Sequence, residues 1–507
     1  MRRFTTPAAS LLLVFTQAPA ALDNPCDGNY VYVDGAGLVV EPTGSDDTDN
    51  IQCALNTAVA QGISSVKLNA GDFTMSSVSI EDFNGALSGV SKSNTSLTVV
   101  QGSIDCAGLE AEQKGAAALT FVEGSPRLQN MTVVAEPFCS AYGDLPPVLV
   151  SFTGQPTGTE ECSNDVVFGV VDRVTFESED PSVNAVIAAA QGYDLGGCKQ
   201  TLLGTLKVNR SEFRGFSKAI GTAMRGGAQV DVNYNTFREN TQDVNFFNSN
   251  QSTNVIGNTF YGTPKEDDVG YLSVVVATRD ADAPNQSKFV ISGNTFDIDA
   301  PDSLQTAGVY LVQQSKVADL SVSIVSNTFR LSGDNTFGIL EGGVNSGFIA
   351  KNSFRGDAYS AITLGQADTN PSSDWTIVAN TGLGSFSSAE GDVLLGSQTK
   401  KAIVGPDQNA QIIDLGTGNT SLPVDAEVVE VTNAIISNVL GNFEGWDGDT
   451  VVELLNGQVW QQTEYYYYYW YGFQPRIVIY SEPSCFSGAK AVVPDSPAEG
   501  VCVERIR

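Results

Sequence analysis

The chain of 507 residues contains no histidine. Ser-His-Asp and Cys-His nucleophiles and histidine-bound metals are therefore excluded. What is left for chemistry is carboxylates, basic side chains, thiols and phenols. Arg225 lies in Met224-Arg-Gly-Gly227, where glycines permit close approach of a ligand. Lys218, Asp231, Arg279, Asp280 and Lys316 could line the same face. Arg225, Asp231 and Lys218 are the catalytic candidates, although none forms a motif. A second set follows phenylalanine: Arg214, Arg238, Arg330 and Arg355, with Glu239, Asp334 and Asp357 close behind three of them. Such a stripe suits an acidic polysaccharide lying in a groove. Arginines repeated at an exposed turn would equally pair with carboxylates of their own or adjacent rungs, each pair contributing little. Repetition favours this structural role, because a catalytic residue should be unique.

Tyr465 to Tyr471 is the most unusual local stretch. In a strand, Tyr465, Tyr467, Tyr469 and Tyr471 share one face and Tyr466, Tyr468 and Trp470 the other. One face would fill a small core, and the second would form an exposed aromatic ladder. Aromatic rings stack on sugar rings, so Tyr465, Tyr467, Tyr469, Tyr471 and Trp470 are the carbohydrate-binding candidates. Cross-strand aromatic packing or a domain interface is the competing explanation.

These residues must be positioned by the elements around them. Between Leu128 and Leu383 a phrase recurs: an aliphatic residue, spacers, usually Asn, a small polar residue, then Phe. Copies are Val232-Asn-Tyr-Asn-Thr-Phe237, Val255-Ile-Gly-Asn-Thr-Phe260, Ile291-Ser-Gly-Asn-Thr-Phe296, Ile324-Val-Ser-Asn-Thr-Phe329 and Ile349-Ala-Lys-Asn-Ser-Phe354. Successive phenylalanines stand 24 residues apart (Phe213 to Phe237), 23 (to Phe260) and 25 (Phe329 to Phe354). The intervals of 36 and 33 around Phe296 read as the same coil with an inserted loop, near Gly270–Ala283 and Asp297–Val309. A period near 24 with β-type phrases suits one rung of a parallel solenoid, whose rungs bury their apolar faces only by stacking. The recurring Asn is expected at a turn, where it tolerates left-handed backbone and can bond the rung above.

These phrases resemble the coils of right-handed parallel β-helix proteins of the pectate-lyase-like superfamily, over about three quarters of the chain. The resemblance implies an all-β solenoid whose open end is capped by an N-terminal helix. Residues 44 to 60 supply one, with Thr48 or Asp49 as N-cap and Ile51, Leu55 and Val59 on one stripe. Asp46, Asp47 and Asp49 suit capping and helix-dipole complementarity, with calcium as the alternative. β-Helix lyases of this kind use Arg or Lys to take the proton α to a uronate carboxylate, with a cation on the developing enolate, and hydrolases use paired Asp. The histidine-containing polygalacturonase signature is impossible here. No pectate-lyase Arg-x-Pro or calcium-carboxylate phrase is present.

The N-terminus reads as a signal peptide: Arg2 and Arg3, an apolar run Ala8 to Phe15 too short to span a bilayer, and a small-x-small site at Ala18-Pro19-Ala20. Residues 21–425 are assigned to the β-helix, with its cap over about 21–65, and residues 426–507 to a small antiparallel β-barrel. In that last unit Asn456-Gly457 signals a type I′ hairpin, and about six short strands follow. Its Trp446, Trp460 and Tyr phrases resemble an SH3-like domain appended to bacterial exported proteins. Export makes the eight cysteines disulfide candidates. Sequence neighbours give Cys26–Cys53, Cys106–Cys139, Cys162–Cys198 and Cys485–Cys502; no CxxC pair supports a metal site. A net charge of −31 argues against a nucleic-acid backbone as partner. No segment reads as a membrane span. The expected partner is a polysaccharide or cell-surface glycan, met outside the cytoplasm (secreted, periplasmic or on the cell surface). No cofactor is required, calcium remaining open. Three functions compete: a glycan-binding protein, a polysaccharide lyase or glycoside hydrolase acting on an acidic glycan, and a structural surface protein without a dedicated ligand.

Overall fold

The computed structural model describes residues 26, 30–100, 117–136, 147–153, 166–189, 203–223, 228–247, 251–265, 268, 270–278, 287–313, 320–365, 370–384, 386, 391–405, 410–421, 435–454, 458–481, 485, 487–493 and 500–506. The chain divides into two compact units, Met1–Val424 and Asp425–Arg507.

The first unit is a parallel β-helix built from three ladders; in some coils one long strand serves two of them, as Val166–Ser178 serves the first and second and Thr328–Gly342 the second and third. The first ladder climbs through Gly37–Val40, Ser65–Leu68 and Ala86–Ser88. It continues through Leu203–Asn209, Ala228–Asn233, Gln251–Ile256, Ser287–Ser292 and Leu320–Val325, and ends at Thr420–Ser421. The second carries Glu212–Arg214, Thr236–Arg238, Thr259–Gly262 and Thr295–Asp299. The third carries Asn184–Ala189, Lys218–Ala223, Gln242–Phe247, Tyr271–Thr278 and Thr306–Gln313. At about 4.8 Å per level the first ladder rises roughly 60 Å. The stretches expected as inserted loops are mostly strand: Tyr271–Thr278 and Thr306–Gln313 pair with each other in the third ladder. Alternation was the weaker cue there, because residues such as Val274–Ala277 are buried on both sides of the sheet. Arg279 to Ala283 lie outside the described residues.

Register places like on like. Phe176, Phe213, Phe237, Phe260, Phe296, Phe329 and Phe354 form one stack with centroids 4.6–5.2 Å apart. All are almost fully buried. Burying each ring contributes on the order of 1.5–3 kcal/mol.

The asparagines form a second ladder beside it. Asn294 Nδ2 donates to the Val255 carbonyl (2.8 Å) and to Asn327 Oδ1 (3.0 Å), and its Oδ1 accepts from the backbone N–H and Nδ2 of Asn258. Asn235, Asn258, Asn327 and Asn352 repeat the pattern. Every amide of this row is thereby satisfied, which is what permits a polar row inside a coil. The left-handed backbone, however, falls one residue earlier than expected: Tyr234, Gly257, Gly293, Ser326, Lys351 and Ala379 have positive φ. Asn is chosen for its two-sided amide, and the preceding residue carries the turn.

The N-terminal helix is Thr48–Gln61, and it buries Ile51, Ala54, Leu55 and Ala58. Its N-cap residue is Asp47, not Thr48 or Asp49, and the Asp47 side chain makes no capping bond. It is buried and accepts the backbone N–H groups of Thr43 (2.8 Å) and Thr74 (3.1 Å), tying the entry turn to the first coil. Asp46 accepts from Thr48. Cys26 and Cys53 form a disulfide on this helix, and Cys485–Cys502 form another in the second unit. Cys106, Cys139, Cys162 and Cys198 lie outside the described residues, as does the N-terminal stretch read as a signal peptide.

The second unit contains a six-stranded antiparallel sheet. Its order is Ile435–Asn438, Arg476–Ser481, Ala489–Val492, Val501–Arg505, Val459–Gln462 and Val451–Glu453. A bridge between Val439 and Leu454 brings its two edges together into a barrel. The core is Phe443, Trp446, Trp460, Ile477, Ile479, Val501 and Val503 with their neighbours. The tyrosine strand, Tyr467–Phe473, is not a barrel stave. It pairs with Asn442–Asp447 in a separate two-stranded ribbon.

Candidate functional site

The ribbon carries the candidate site. Alternation along the strand sends successive side chains to opposite sides. Tyr465, Tyr467, Tyr469 and Tyr471 are 90%, 66%, 68% and 56% exposed. Tyr466 and Trp470 point the other way and pack on the barrel core, Trp470 lying 6.2 Å from Phe443 centroid to centroid. Trp470 therefore anchors the ribbon and does not join the open row. At about 3.3 Å per residue the four exposed rings span roughly 20 Å.

The partner strand supplies the edge of this surface. Asp447 lies opposite Tyr467, and Gly445 opposite Tyr469 across a bulge that begins after Phe443. Gly445 has φ 100°, and a Cβ there would stand 2.0 Å from the Tyr468 carbonyl oxygen. Only glycine can make this bend. Asn442, Glu444 and Asp447 are exposed on this strand, Asp447 directly across from Tyr467 and Asn442 across from Phe473 at the far end. The turn that follows is fixed by Thr450, whose Oγ1 donates to Asp447 Oδ1 (2.7 Å), while the Asp449 N–H donates to the same oxygen (3.1 Å). These two bonds hold the Asp447 carboxyl below the usual carboxylate range. Glu464, at the head of the row, accepts the Cys502 N–H. The surface is thus a row of phenol faces bordered by hydrogen-bond acceptors, which can stack on apolar ring faces and bind hydroxyls at their rims.

The catalytic candidates are placed elsewhere. Lys218 opens a strand of the third ladder, between Asn184 and Gln242. Asp231 belongs to the first ladder, between Lys207 and Asn254, and its carboxylate accepts from Gln229 Nε2 (2.9 Å) and Asn254 Nδ2 (2.8 Å). The fold does not put the two on one ladder. Arg225, Arg279, Asp280 and Lys316 lie outside the described residues. The arginine row behaves as the structural alternative required. Arg214 pairs with Glu239 (3.0 Å), Arg238 with Glu212 (3.7 Å) and Arg330 with Asp297 (3.5 Å), all between neighbouring coils. Arg238 also lies 3.8 Å over the Tyr261 ring. Asp334 is not the partner of Arg330.

Sequence reading missed two carboxylates inside the helix. Asp243 is fully buried; it accepts Asn240 Nδ2 (2.9 Å) and the Tyr271 hydroxyl, which in turn accepts from Ser273 (2.9 Å). Burial pushes its carboxyl up to about 8 in spite of both donors. Glu341 accepts the N–H groups of Val344 and Gly365 and the Ser372 hydroxyl, and burial pushes it up to about 7. A charged residue inside an apolar strand, as in Ile339-Leu-Glu341, is the one cue that could have found them.

No protein-family model matches the chain, and no curated protein matches it. Solved structures that are similar include the Dettilon tailspike protein, at 10% identity and a TM-score of 0.41, over 89% of this chain and 78% of that one. The A-module of the Azotobacter vinelandii mannuronan C-5 epimerase AlgE4 is similar at 13% identity and a TM-score of 0.35, over 75% of this chain and 96% of that one. The Streptococcus pneumoniae surface protein and adhesin PfbA is similar at 10% identity and a TM-score of 0.38, over 75% of this chain and 94% of that one. Among the described residues, no helix is long and apolar enough to cross a membrane.

Proposed function

We propose that the protein is exported and binds polysaccharide through the tyrosine row of its C-terminal unit. One observation carries this reading: four consecutive alternate tyrosines stand open to solvent while Tyr466 and Trp470, between them, are used for packing. Exposed aromatic rows are unfavourable unless something covers them, and a flat, regularly spaced row fits a chain of rings. The disulfides support the oxidising compartment that export supplies. The β-helix then serves as a stiff carrier, its strands paired from end to end. No observation among the described residues favours the lyase or hydrolase alternative, whose Lys218 and Asp231 lie on different ladders.

The test is retention of the full-length protein on polysaccharide-containing gels, with a Tyr467→Ala/Tyr469→Ala variant as comparison. Each stacked ring is worth about 0.5–1.5 kcal/mol, so the double variant should bind about tenfold more weakly. Its melting temperature should not move, because both side chains are exposed. Equal retention of the two proteins would remove the tyrosine row from binding.

A further inference from the structure

We infer that the ligand of the tyrosine row is a neutral polysaccharide and that polyuronates are rejected there. This rests on the binding role proposed for the row. The two strands of the ribbon, Asn442–Asp447 and Tyr467–Phe473, contain no lysine and no arginine. Their exposed polar groups are Asn442, Glu444 and Asp447, with Asp449 at the turn and Glu464 at the head of the row. The whole unit from Asp425 to Arg507 has twelve acidic side chains against four basic ones, Arg476, Lys490, Arg505 and Arg507. None of the four is on the ribbon.

Geometry makes these charges count. Asp447 is the cross-strand partner of Tyr467, so the two Cβ atoms are about 5 Å apart. A uronate ring stacked on Tyr467 would hold its carboxylate within the physiological screening length of about 8 Å from Asp447. Further along, Tyr469 faces Gly445, with exposed Glu444 next to that glycine on the partner strand, and neither ribbon strand supplies a cation to neutralise these carboxylates. A neutral sugar in the same place loses nothing: its hydroxyls donate to the Asp447 carboxylate, and rings further along the row run towards Glu444 and Asn442, which offer further acceptors. Charge-assisted bonds of this kind are the stronger ones.

The experiment is affinity electrophoresis and calorimetry of the full chain against neutral polymers (a β-glucan, a mannan, a xyloglucan) and acidic ones (polygalacturonate, alginate, hyaluronate). The expected result is binding to at least one neutral polymer and at least tenfold weaker binding to every acidic one. A Glu444→Gln/Asp447→Asn variant should narrow that gap, as should 1 M salt, where the screening length falls to about 3 Å. Tighter binding of an acidic polymer, lost in Tyr467→Ala/Tyr469→Ala, would overturn the neutral specificity while leaving the tyrosine row as the site. Binding to no polymer, or self-association through the row in place of it, would overturn both.

Discussion

Stability of the β-helix should fall as pH rises from 5 to 8, and Asp243 should carry an identifiable share of the fall. Burial is the cause: Asp243 has no exposed surface and is held inside the coil by Asn240 and Tyr271. Its carboxyl sits at about 8 in the folded protein, against about 3.9 in an unfolded chain. Between those values the folded state keeps a proton that the unfolded state has released. Stability is therefore greatest at the acidic end of this window and is lost as pH climbs towards 8, at up to about 1.4 kcal/mol per pH unit. Above 8 both states are ionised and the loss stops. From pH 5 to 7 the Asp243 share comes to about 3 kcal/mol, and Glu341, at about 7, adds a second share that levels off earlier. At roughly 2.1 cal/mol/K per residue, a unit of this size loses on the order of 1 °C of melting temperature per kcal/mol.

The perturbation is Asp243→Asn, which keeps the shape and removes the proton. Its Oδ1 can keep the bond from Asn240 Nδ2, but its Nδ2 then faces the Tyr271 hydroxyl, which must turn from donor to acceptor, so the absolute melting temperature can drop. The readout is the slope. Thermal melts by calorimetry at pH 5, 6, 7 and 8 should show the parent losing about 3 °C more than the variant between pH 5 and 7. Parallel curves for parent and variant, or a parent that becomes more stable with rising pH, would refute the reasoning.

Breaking one rung of the asparagine ladder should be costly: Asn294→Ala removes the acceptor of the Asn258 N–H and the donor to Val255. With the bonds to Asn258 Nδ2 and Asn327 Oδ1, four buried hydrogen bonds are lost, at about 1–3 kcal/mol for each group left unsatisfied, which chemical denaturation would read as a lower midpoint. Arg214→Gln should change stability by less than about 1 kcal/mol in the same assay, since its pair with Glu239 is half exposed. A Cys485→Ala/Cys502→Ala variant should destabilise the C-terminal unit by about 3 kcal/mol, seen as an earlier calorimetric transition of that unit with the Cys26–Cys53 disulfide left in place.

The repeated phrase makes the solenoid legible in the sequence, because Phe and Asn recur at a spacing that one coil imposes. The alternation of the tyrosine run likewise announced which rings would share a face. The partner of that run was not legible. Nothing in the spacing of Asn442-Phe-Glu-Gly-Trp-Asp447 names its partner, and the register shift between Phe443 and Gly445 is what lets it pair with Tyr467–Phe473. The helix cap was misplaced by one residue or more for a similar reason. Asp47 answers to Thr74 in the first coil, a partner outside the local window.

The sequence by itself determined the parallel β-helix, its stacked phenylalanines, its asparagine row and the two-sidedness of the tyrosine strand. Each depends on spacing along the chain, which periodic contacts read directly. Tertiary structure decided which residue takes the left-handed turn, which side of the ribbon holds Trp470, and which carboxylates are sealed away from water. It also placed Lys218 and Asp231 on different ladders. These are properties of neighbours a coil or more away. The environment of Asp243 is completed by Tyr271 and Ser273 from the next coil, and burial of that kind leaves almost no trace in the residues beside it.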